Sequence, residues 1–285
     1  MIVIDGKKIA EEILDSLREL PKPKKYLAGV IIGEDAASES FQSLKKRVAE
    51  SLGLDYRIYH LDEKVSQDKL REEVGKLANH KTCGGILVQL PLPLGINRHY
   101  VINAIPRDKD VDVLGERAIG AFYNNRNKVI PPAVAVVEEI FKRLEINLKG
   151  KRIAVVGPGF LIGRPIALWL THKALEVDVL RRGSSYETLK LADIVISGVG
   201  QAGLIKPDML KARAGVIDFG YSPAQKDTDQ IQTDVDMKLV GDFDSSPLSS
   251  KDYVPNLSFY TPTPGGTGPI LVAKLMENFY RLNQA

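Results

Sequence analysis

Cysteine is almost absent from this sequence, since Cys83 is the only one among 285 residues. A single cysteine excludes an internal disulfide framework and a cysteine-based zinc site, and it suits a reducing compartment. Cys83 precedes an apolar run, which favours a small buried side chain over a nucleophile. We therefore predict no metal site and expect Cys83 to be a core residue.

Long apolar runs and an excess of one charge are also missing. No apolar stretch approaches the roughly 20 residues of a membrane-spanning helix. Residues 1–8 carry charges where a secretion signal needs an apolar segment. The formal net charge is only +3, and basic and acidic residues are interspersed rather than gathered in one stripe. We therefore expect a cytoplasmic protein that binds neither membranes nor nucleic acid.

The sequence does contain a regular alternation of helical and strand-like segments, which is typical of parallel βαβ units. The length exceeds what a single hydrophobic core usually serves, so two domains are expected. Strands are predicted at 26–32, 55–61, 85–89, 152–156, 177–180, 194–198, 215–218 and 238–241. Helices are predicted at 7–20, 37–52, 66–79, 131–144, 163–172 and 270–282, with a Pro-, Gly- and Thr-rich loop at 260–269.

A glycine-rich turn follows the apolar strand at 152–156. Gly157 permits a tight turn, Gly159 lets a pyrophosphate approach the backbone, and Gly163 allows close packing of the next helix. Pro158 lies within the same turn. Phosphates bind favourably at the amino end of a helix. A strand before, a helix after and a second strand about 20 residues on favour a dinucleotide site over an ordinary turn.

The end of that second strand bears on the choice of cofactor. NAD-binding proteins usually carry an acidic residue there, which accepts hydrogen bonds from the ribose hydroxyls. This chain has Arg181 and Arg182 instead, and guanidinium groups suit the additional phosphate of NADP. A pair of solvated surface arginines is the alternative. NADP is therefore the predicted cofactor.

Several longer motifs resemble the methylenetetrahydrofolate dehydrogenase/cyclohydrolase family. The segments are GILVQLPLP at 85–93, KDVD at 109–112 and TPTPGGTGP at 261–269, in the order found in that family. The resemblance covers essentially the whole chain. It implies oxidation of 5,10-methylenetetrahydrofolate by NADP, and hydrolysis of the methenyl product to 10-formyltetrahydrofolate. It also implies a homodimer with a cleft between its two domains.

The expected architecture is a two-domain α/β fold. Residues 1–145 would form the N-terminal catalytic domain, completed by the C-terminal helix at 268–285. Residues 146–267 would form the Rossmann-type, NADP-binding domain.

The resemblance also implies roles for single residues. Lys45 matches the catalytic lysine, Gln89 the glutamine that holds it, and Asp112 the aspartate that binds the pterin. Pro91 and Pro93 end the strand at 85–89, so Gln89 is expected at a carboxyl strand end, where ligands bind in open α/β sheets. The remaining implied binding residues are Phe41, Pro264, Gly265 and Gly268 for the folate and Tyr221 for the cofactor.

The sequence also departs from the family pattern. Phe41 replaces a tyrosine four residues before Lys45, and Val113 begins a segment that replaces Gly-Phe-His-Pro. Residues 131–134 also differ, as do Thr263, Thr267 and Tyr221. Without a phenol near the lysine, we expect a bias toward the dehydrogenase reaction. A dehydrogenase without hydrolase activity, a non-catalytic folate- or dinucleotide-binding relative and a Rossmann dehydrogenase for another small substrate remain alternatives. The aspartates at 110 and 112 could also serve as a helix cap or a turn.

Overall fold

The computed structural model describes residues 1–223, 239–249 and 256–284, which fall into two compact units. The three-stranded unit comprises Ala10–Pro132 and Val272–Ala285, and the six-stranded unit comprises Met1–Ile9 and Ala133–Leu271. Both are built from parallel strands and helices, as predicted. Within the described ranges, no helix is long and apolar enough to span a membrane.

The elements are numbered in chain order. The strands are β1 Ile2–Val3, β2 Tyr26–Ile32, β3 Tyr56–Leu61, β4 Cys83–Val88, β5 Arg152–Val156, β6 Glu176–Leu180, β7 Ile194–Ser197, β8 Ala214–Asp218, β9 Ser222–Pro223, β10 Leu239–Val240 and β11 Leu257–Tyr260. The α-helices are α1 Gly6–Arg18, α2 Ala36–Ser51, α3 Gln67–Asn79, α4 Arg98–Ile102, α5 Glu116–Tyr123, α6 Pro132–Arg143, α7 Gly163–Leu170 and α8 Thr267–Asn283. Short 3-10 turns occupy Arg107–Lys109, Tyr186–Lys190, Pro207–Met209 and Ser246–Ser249.

The three-stranded sheet has the order β3-β2-β4, with every pair parallel. Every residue of β2 and β4 is buried, as is expected of strands that are covered on both faces. Cys83 begins β4 and is buried, which agrees with its predicted place in the core. The chain leaves β2 through α2 and returns from α3 into β4, so the loops after these neighbouring strands meet at one edge of the sheet.

The C-terminal helix α8 packs on this unit, as predicted. Asn278 donates through Nδ2 to the carbonyl oxygens of Val111 at 2.9 Å and Ile130 at 2.8 Å. Asn283 donates to the carbonyl oxygen of Gly84 at 3.0 Å. These amides satisfy carbonyl oxygens of two loop residues and of Gly84 in β4, and they fix where the helix lies.

The six-stranded sheet has the order β1-β11-β8-β7-β5-β6, again with every pair parallel. The chain goes from β5 to β6 on one side and then to β7 on the other. The carboxyl end of β5 is thus the point where the strand order reverses, which is where open α/β sheets bind ligands. Gly157 is the first residue after β5.

The observed units differ from the expected domain boundaries in three places, one of which is the start of the C-terminal segment of the three-stranded unit, at 272 rather than at 268. Residues 1–9 belong to the six-stranded unit, because β1 pairs in parallel with β11. Residues from 133 onward join the same unit, so its start precedes the expected position 146. The two-residue strand β1 has too little sequence pattern to predict, and α6 has no Gly or Pro after its first turn to mark a boundary.

Most predicted elements agree with the structure to within two residues, but two predictions were wrong and the strand β11 was missed. The strand at 238–241 was expected to extend the parallel sheet, whereas β10 pairs antiparallel with β9; Lys238 itself lies outside the described residues. The neighbouring place in the sheet is taken by β11, which was not predicted. The final helix begins at Thr267 rather than at 270, because Gly268 and Pro269 are tolerated in a first helical turn.

Candidate active site

Lys45 lies on α2, which begins directly beyond the carboxyl end of β2. Asp35 caps this helix by accepting a hydrogen bond from the backbone N–H of Ser38 at 2.7 Å. Most lysines are exposed, but Lys45 is only 9% exposed. A buried ammonium group is costly unless it has partners, so the surroundings of this side chain decide its charge.

Gln89 supplies the direct partner of this lysine. It follows β4, and its backbone N–H donates to the carbonyl oxygen of Val30 in β2 at 2.8 Å. This bond continues the sheet and fixes the side chain at the strand edge. Lys45 Nζ donates to Gln89 Oε1 at 2.9 Å. The two residues are 44 positions apart in the sequence, and the parallel pairing of β2 with β4 brings them together.

Burial and one carboxylate act in opposite directions on Lys45. Burial lowers the pKa of Lys45, and the negative charge of Asp112 raises it by a smaller amount. Burial likewise raises the pKa of Asp112, and the positive charge of Lys45 partly opposes this. In both groups burial dominates and favours the uncharged form. A lysine whose pKa is lowered in this way exchanges a proton with a bound reactant more readily than an exposed lysine does.

The neighbouring aspartate has a structural task. Asp110 is buried, and its Oδ2 accepts hydrogen bonds from the backbone N–H groups of Leu114 at 3.0 Å and Gly115 at 2.8 Å. Burial raises the pKa of Asp110 to about 6, although these N–H groups favour its ionised form. Of the two aspartates, Asp110 therefore closes the turn before α5, and Asp112 acts on Lys45. Val113 in this turn has a φ of +57°, which is unusual for a β-branched residue.

Two further polar residues belong to this cluster and were not predicted. Gln42 and Tyr56 are buried, and the Tyr56 hydroxyl donates to Gln42 Oε1 at 2.5 Å. Gln42 Nε2 in turn lies 3.4 Å from Gln89 Oε1. The available signal was the helical spacing of four polar or small residues on the buried face of α2, namely Ser38, Gln42, Lys45 and Ala49. An apolar stripe would normally occupy such a face, so its polar character marks it as unusual.

The predicted dinucleotide turn has the geometry that its glycines require. Gly157 has a φ of +85°, and its backbone N–H donates to the carbonyl oxygen of Leu180 at the end of β6 at 2.8 Å. A Cβ atom on Gly163 would lie 2.1 Å from the carbonyl oxygen of Gly157, so only glycine fits there. The turn therefore packs closely under the amino end of α7, where backbone N–H groups favour an anion.

The loops around this turn are held by two buried carboxylates. Asp242 accepts hydrogen bonds from Ser197 Oγ at 2.6 Å and from the backbone N–H groups of Val199 and Gln201, both at 2.7 Å. Asp218 accepts from the backbone N–H groups of Gly220 at 2.6 Å and Phe243 at 2.9 Å. Burial raises the pKa of Asp218 to about 6. Together these carboxylates fix the loops at the carboxyl ends of β7 and β8.

Asp242→Ala should therefore destabilise the six-stranded unit. It removes three hydrogen bonds to a charged acceptor and leaves three donors without it, at a cost of about 2 to 4 kcal/mol in the free energy of unfolding. Urea unfolding followed by circular dichroism measures this cost. The matched control is Asp244→Ala. Among the described residues, the Asp244 carboxylate accepts hydrogen bonds only from Ser246, two positions away, so its loss should cost less than about 1 kcal/mol. Equal losses in the two variants would contradict the assignment.

The residues predicted to bind the cofactor and to select NADP over NAD lie in the six-stranded unit. Arg181 and Arg182 directly follow β6 and are exposed, and the turn after them is closed by a hydrogen bond from the Arg181 backbone N–H to Ser184 Oγ at 3.1 Å. Pro158 lies within the glycine turn, and its carbonyl oxygen accepts from Arg164 Nε at 3.0 Å. Tyr221, after β8, is 52% exposed. The guanidinium groups are thus accessible at the strand end next to β5.

The Pro- and Gly-rich loop belongs to the six-stranded unit. Gly265 has a φ of +99°, while Pro264 and Gly268 are exposed. A Cβ on Gly6 would lie 1.7 Å from the carbonyl oxygen of Gly266, so the start of α1 packs directly on this loop.

Lys45, Gln89 and Asp112 form one cluster in the three-stranded unit, with Phe41 one turn before Lys45 on α2.

Comparison with known proteins matches the two parts of the chain to the two domains of a single family. The tetrahydrofolate dehydrogenase/cyclohydrolase catalytic domain matches residues 4–112, and the NAD(P)-binding domain of that family matches residues 131–285. The bifunctional protein FolD of Staphylococcus epidermidis is 34% identical over 284 residues, covering 97% of this chain and 94% of its own.

Solved structures agree with these matches. The bifunctional enzyme FolD of Campylobacter jejuni has a TM-score of 0.89 at 28% identity, with 99% of this chain and 98% of that chain covered. The dehydrogenase-cyclohydrolase of Trypanosoma brucei, solved with NADP cofactor and an inhibitor, has a TM-score of 0.87 at 28% identity, with 99% and 96% covered. The chain belongs to the tetrahydrofolate dehydrogenase/cyclohydrolase family.

Proposed function

We propose that this protein oxidises 5,10-methylenetetrahydrofolate with NADP and then hydrolyses the methenyl product to 10-formyltetrahydrofolate. The observation that carries the proposal is the contact of a buried lysine, Lys45, with Gln89 Oε1 at 2.9 Å, in a chain of this family. Binding alone would not require a desolvated amine. Acid and base catalysis does, because a lysine with a lowered pKa can exchange protons near neutral pH.

The six-stranded unit fits a dinucleotide. Gly163 packs against the Gly157 carbonyl and begins α7, and the amino end of a helix favours a pyrophosphate. Arg181 and Arg182 are exposed and offer donors to a ribose phosphate. The NADP complex of the relative from Trypanosoma brucei supports the same cofactor. NADP supplies the acceptor for the hydride that leaves the methylene carbon of the folate.

Hydrolysis of the methenyl product needs proton transfers that Lys45 can carry out. Water adds to the methenyl carbon, and the uncharged Lys45 amine accepts the proton that the water loses. The resulting ammonium then returns that proton to N5 as the bond between N5 and the carbon breaks. The hydroxyl group of the adduct loses its remaining proton to solvent at the same time and becomes the carbonyl oxygen of the formyl group on N10. Gln89 orients the amine without adding a charge. We assign Asp112 to the pterin, since a carboxylate can accept two adjacent N–H donors.

Steady-state assays test the proposal. Purified enzyme is mixed with 5,10-methylenetetrahydrofolate and either NADP or NAD, and the reduced cofactor is followed by its absorbance. The proposal expects turnover with NADP and much slower turnover with NAD. Absence of reduced cofactor with both dinucleotides would overturn it. Faster turnover with NAD would overturn the choice of NADP and the assignment of Arg181 and Arg182, but not the dehydrogenase reaction.

Phe41 favours a second version of the function, in which the dehydrogenase reaction predominates. Phe41 lies one turn before Lys45 on α2 and has no hydroxyl with which to position water. We expect Phe41→Tyr to raise the ratio of cyclohydrolase to dehydrogenase rates several-fold, about 3- to 10-fold on the scale of one added hydrogen bond. Assays of both steps measure this ratio. Phe41→Leu is the matched control and should not raise it; an equal ratio in wild type and Phe41→Tyr contradicts the idea.

Assembly and location remain predictions. We propose a cytoplasmic homodimer, which is what the family resemblance and the single cysteine support, and we expect no affinity for nucleic acid because the net charge is only +3. Light scattering coupled to size-exclusion chromatography tests the dimer. A mass near 31.4 kDa, that of one chain, would contradict it.

A further inference from the structure

A chain of hydrogen bonds extends from Lys45 to the hydroxyl of Tyr56. Lys45 Nζ and Gln42 Nε2 both point to Gln89 Oε1, at 2.9 and 3.4 Å, and Tyr56 Oη lies 2.5 Å from Gln42 Oε1. Three elements contribute to it: α2 carries Lys45 and Gln42, β3 carries Tyr56, and Gln89 follows β4. Gln42 is fully buried and Tyr56 is 5% exposed, so water cannot easily replace either partner.

The direction of each bond in this chain is fixed from one end. Gln89 Nε2 lies 2.7 Å from the carbonyl oxygen of Leu90, which can only accept, so the amide nitrogen must face it. Gln89 Oε1 is then turned toward Lys45 and can only accept from it. The same oxygen requires Gln42 to present its nitrogen, and Gln42 Oε1 must therefore accept from the hydroxyl of Tyr56. Flipping either amide would place two acceptors against each other.

The fold makes room for this arrangement. Gly29, in the central strand β2, lies beneath it. A Cβ atom at this position would lie 2.2 Å from Gln42 Oε1 and 2.5 Å from Tyr56 Oη. Any larger residue would push the amide and the phenol apart. Glycine is disfavoured in a strand interior, so its presence here agrees with a site where side chains need the space.

We propose that Gln42 and Tyr56 are positioning residues, which hold the Gln89 carbonyl oxygen on Lys45 and so keep that amine correctly placed. The proposal rests on the proposed function and deepens it. None of the three partners carries a charge near neutral pH. Gln89 and Gln42 are amides, which do not titrate, and burial raises the pKa of the Tyr56 phenol. The chain can therefore orient the amine without placing a negative charge beside it. Among the described residues, Asp112 is the charged group that acts on Lys45.

Three variants test the assignment. Gln42→Met keeps the length of the side chain and removes its amide, and Tyr56→Phe removes only the hydroxyl. Each should lower the cyclohydrolase kcat about 10-fold through misplacement of the amine, with a much smaller change in KM. Gln42→Glu adds a negative charge beside Gln89 and should raise the pKa of Lys45. The acidic limb of the pH profile for hydrolysis should then move to higher pH.

The matched control is Tyr26→Phe. Tyr26 is a buried tyrosine of the adjacent strand β2, and it takes no part in the hydrogen-bond chain. Loss of the Tyr26 hydroxyl should lower the stability of the protein without moving the pH profile for hydrolysis. Thermal unfolding of all four variants identifies any that fail to fold, and Tyr56→Phe, the smallest change, keeps the test open if Gln42→Met is unstable.

A second readout does not depend on activity. Lysines labelled with ¹³C at Cε are titrated by NMR in the wild type and in Gln42→Glu, with the Lys45 signal assigned from Lys45→Met. The proposal expects a higher Lys45 pKa in Gln42→Glu. An unchanged Lys45 pKa together with an unchanged pH profile would overturn the positioning role. If the wild type lacks both activities but the Lys45 pKa moves, the proposed function fails and the positioning role stands.

A different observation carries a second inference. An open depression of about 750 Å³ in the three-stranded unit is lined by Arg107, Arg117, Gly120, Ala121, Asn124 and Arg126. No carboxylate lines it, and in the described part of the chain none of its three arginines has an ion-pair partner. Gly120 has open space beyond its Cα, so nothing in that part of the unit fills the depression. We infer that it binds a small anion with two or more phosphate or carboxylate groups.

Binding is tested by calorimetric titration with inorganic pyrophosphate and, separately, with tricarballylate, a tricarboxylate. Binding of one probe and not the other identifies the class of anion. Arg117→Gln and Arg126→Gln should each weaken binding about 10-fold, since each removes a charge-assisted hydrogen bond. The control is Arg57→Gln. Arg57 lies in β3, does not line the depression, and is paired with Asp55 just before the same strand. Absence of binding by both probes, or equal affinities in all variants, would overturn the inference.

Discussion

Lys45→Met should lower the cyclohydrolase rate by roughly 10²- to 10⁴-fold, the usual contribution of a positioned acid or base. Methionine keeps the length and burial of the side chain but cannot accept a proton. Lys45 is the buried amine of the cluster, with Gln89 2.9 Å away and Asp112 acting on its charge. The dehydrogenase step should fall much less, because hydride transfer depends on alignment of two carbons rather than on a proton acceptor.

The matched control is Lys46→Met, on the same helix. Lys46 is partly exposed, and its Nζ lies 3.8 Å from Glu50 Oε1, a surface pair of little energetic value. Initial rates of both steps are measured for the two variants and the wild type. Lys46→Met should retain both activities. Full cyclohydrolase activity in Lys45→Met would show that another group manages the water.

The double variant Arg181→Ser/Arg182→Ser should raise the KM for NADP by about 100-fold, because one or two charge-assisted hydrogen bonds to the ribose phosphate are lost. Its KM for NAD should change by less than about threefold, since NAD has no such phosphate to contact. Both arginines are exposed directly after β6, next to the strand that carries the glycine turn. Steady-state kinetics with the two cofactors separates these effects.

Arg213→Asn serves as the control for loss of charge. Arg213 is an exposed arginine of the same unit, just before β8, and its φ of +63° is one that asparagine also adopts. It should leave both KM values unchanged. An equal loss of affinity for NADP and NAD in the double variant would mean that the arginines act on the shared part of the cofactor and do not select between the two.

The sequence was sufficient for the parts of the fold that local pattern determines. The apolar runs that became β2, β4 and β5 were predicted closely, and the glycine turn after β5 has the positive φ that Gly157 was expected to supply. Elements without such a pattern were missed. The two residues of β1 reveal their role only through pairing with β11, a contact that spans more than 250 positions of the chain.

The candidate site was predicted in part for a similar reason. Lys45, Gln89 and Asp112 could be named because each falls in a motif of the resembling family, and the structure places them together. Gln42 and Tyr56 belong to no such motif. A buried glutamine on a helix looks like a surface residue until the strand beneath it is known to contain Gly29. The sequence also could not tell the role of Asp110 from that of Asp112, because the difference depends on the backbone N–H groups of Leu114 and Gly115, which donate to Asp110.

One progress curve tests the central claim, that a single chain performs both steps and that Lys45 serves the second. Methylenetetrahydrofolate and NADP are mixed with the enzyme, and the absorbance of the methenyl product is followed over time in wild type and Lys45→Met. The account predicts a signal that rises and then decays faster than the uncatalysed reaction in the wild type. In Lys45→Met the signal should rise and persist. Equally fast decay in both enzymes, or no methenyl signal in the wild type, would contradict it.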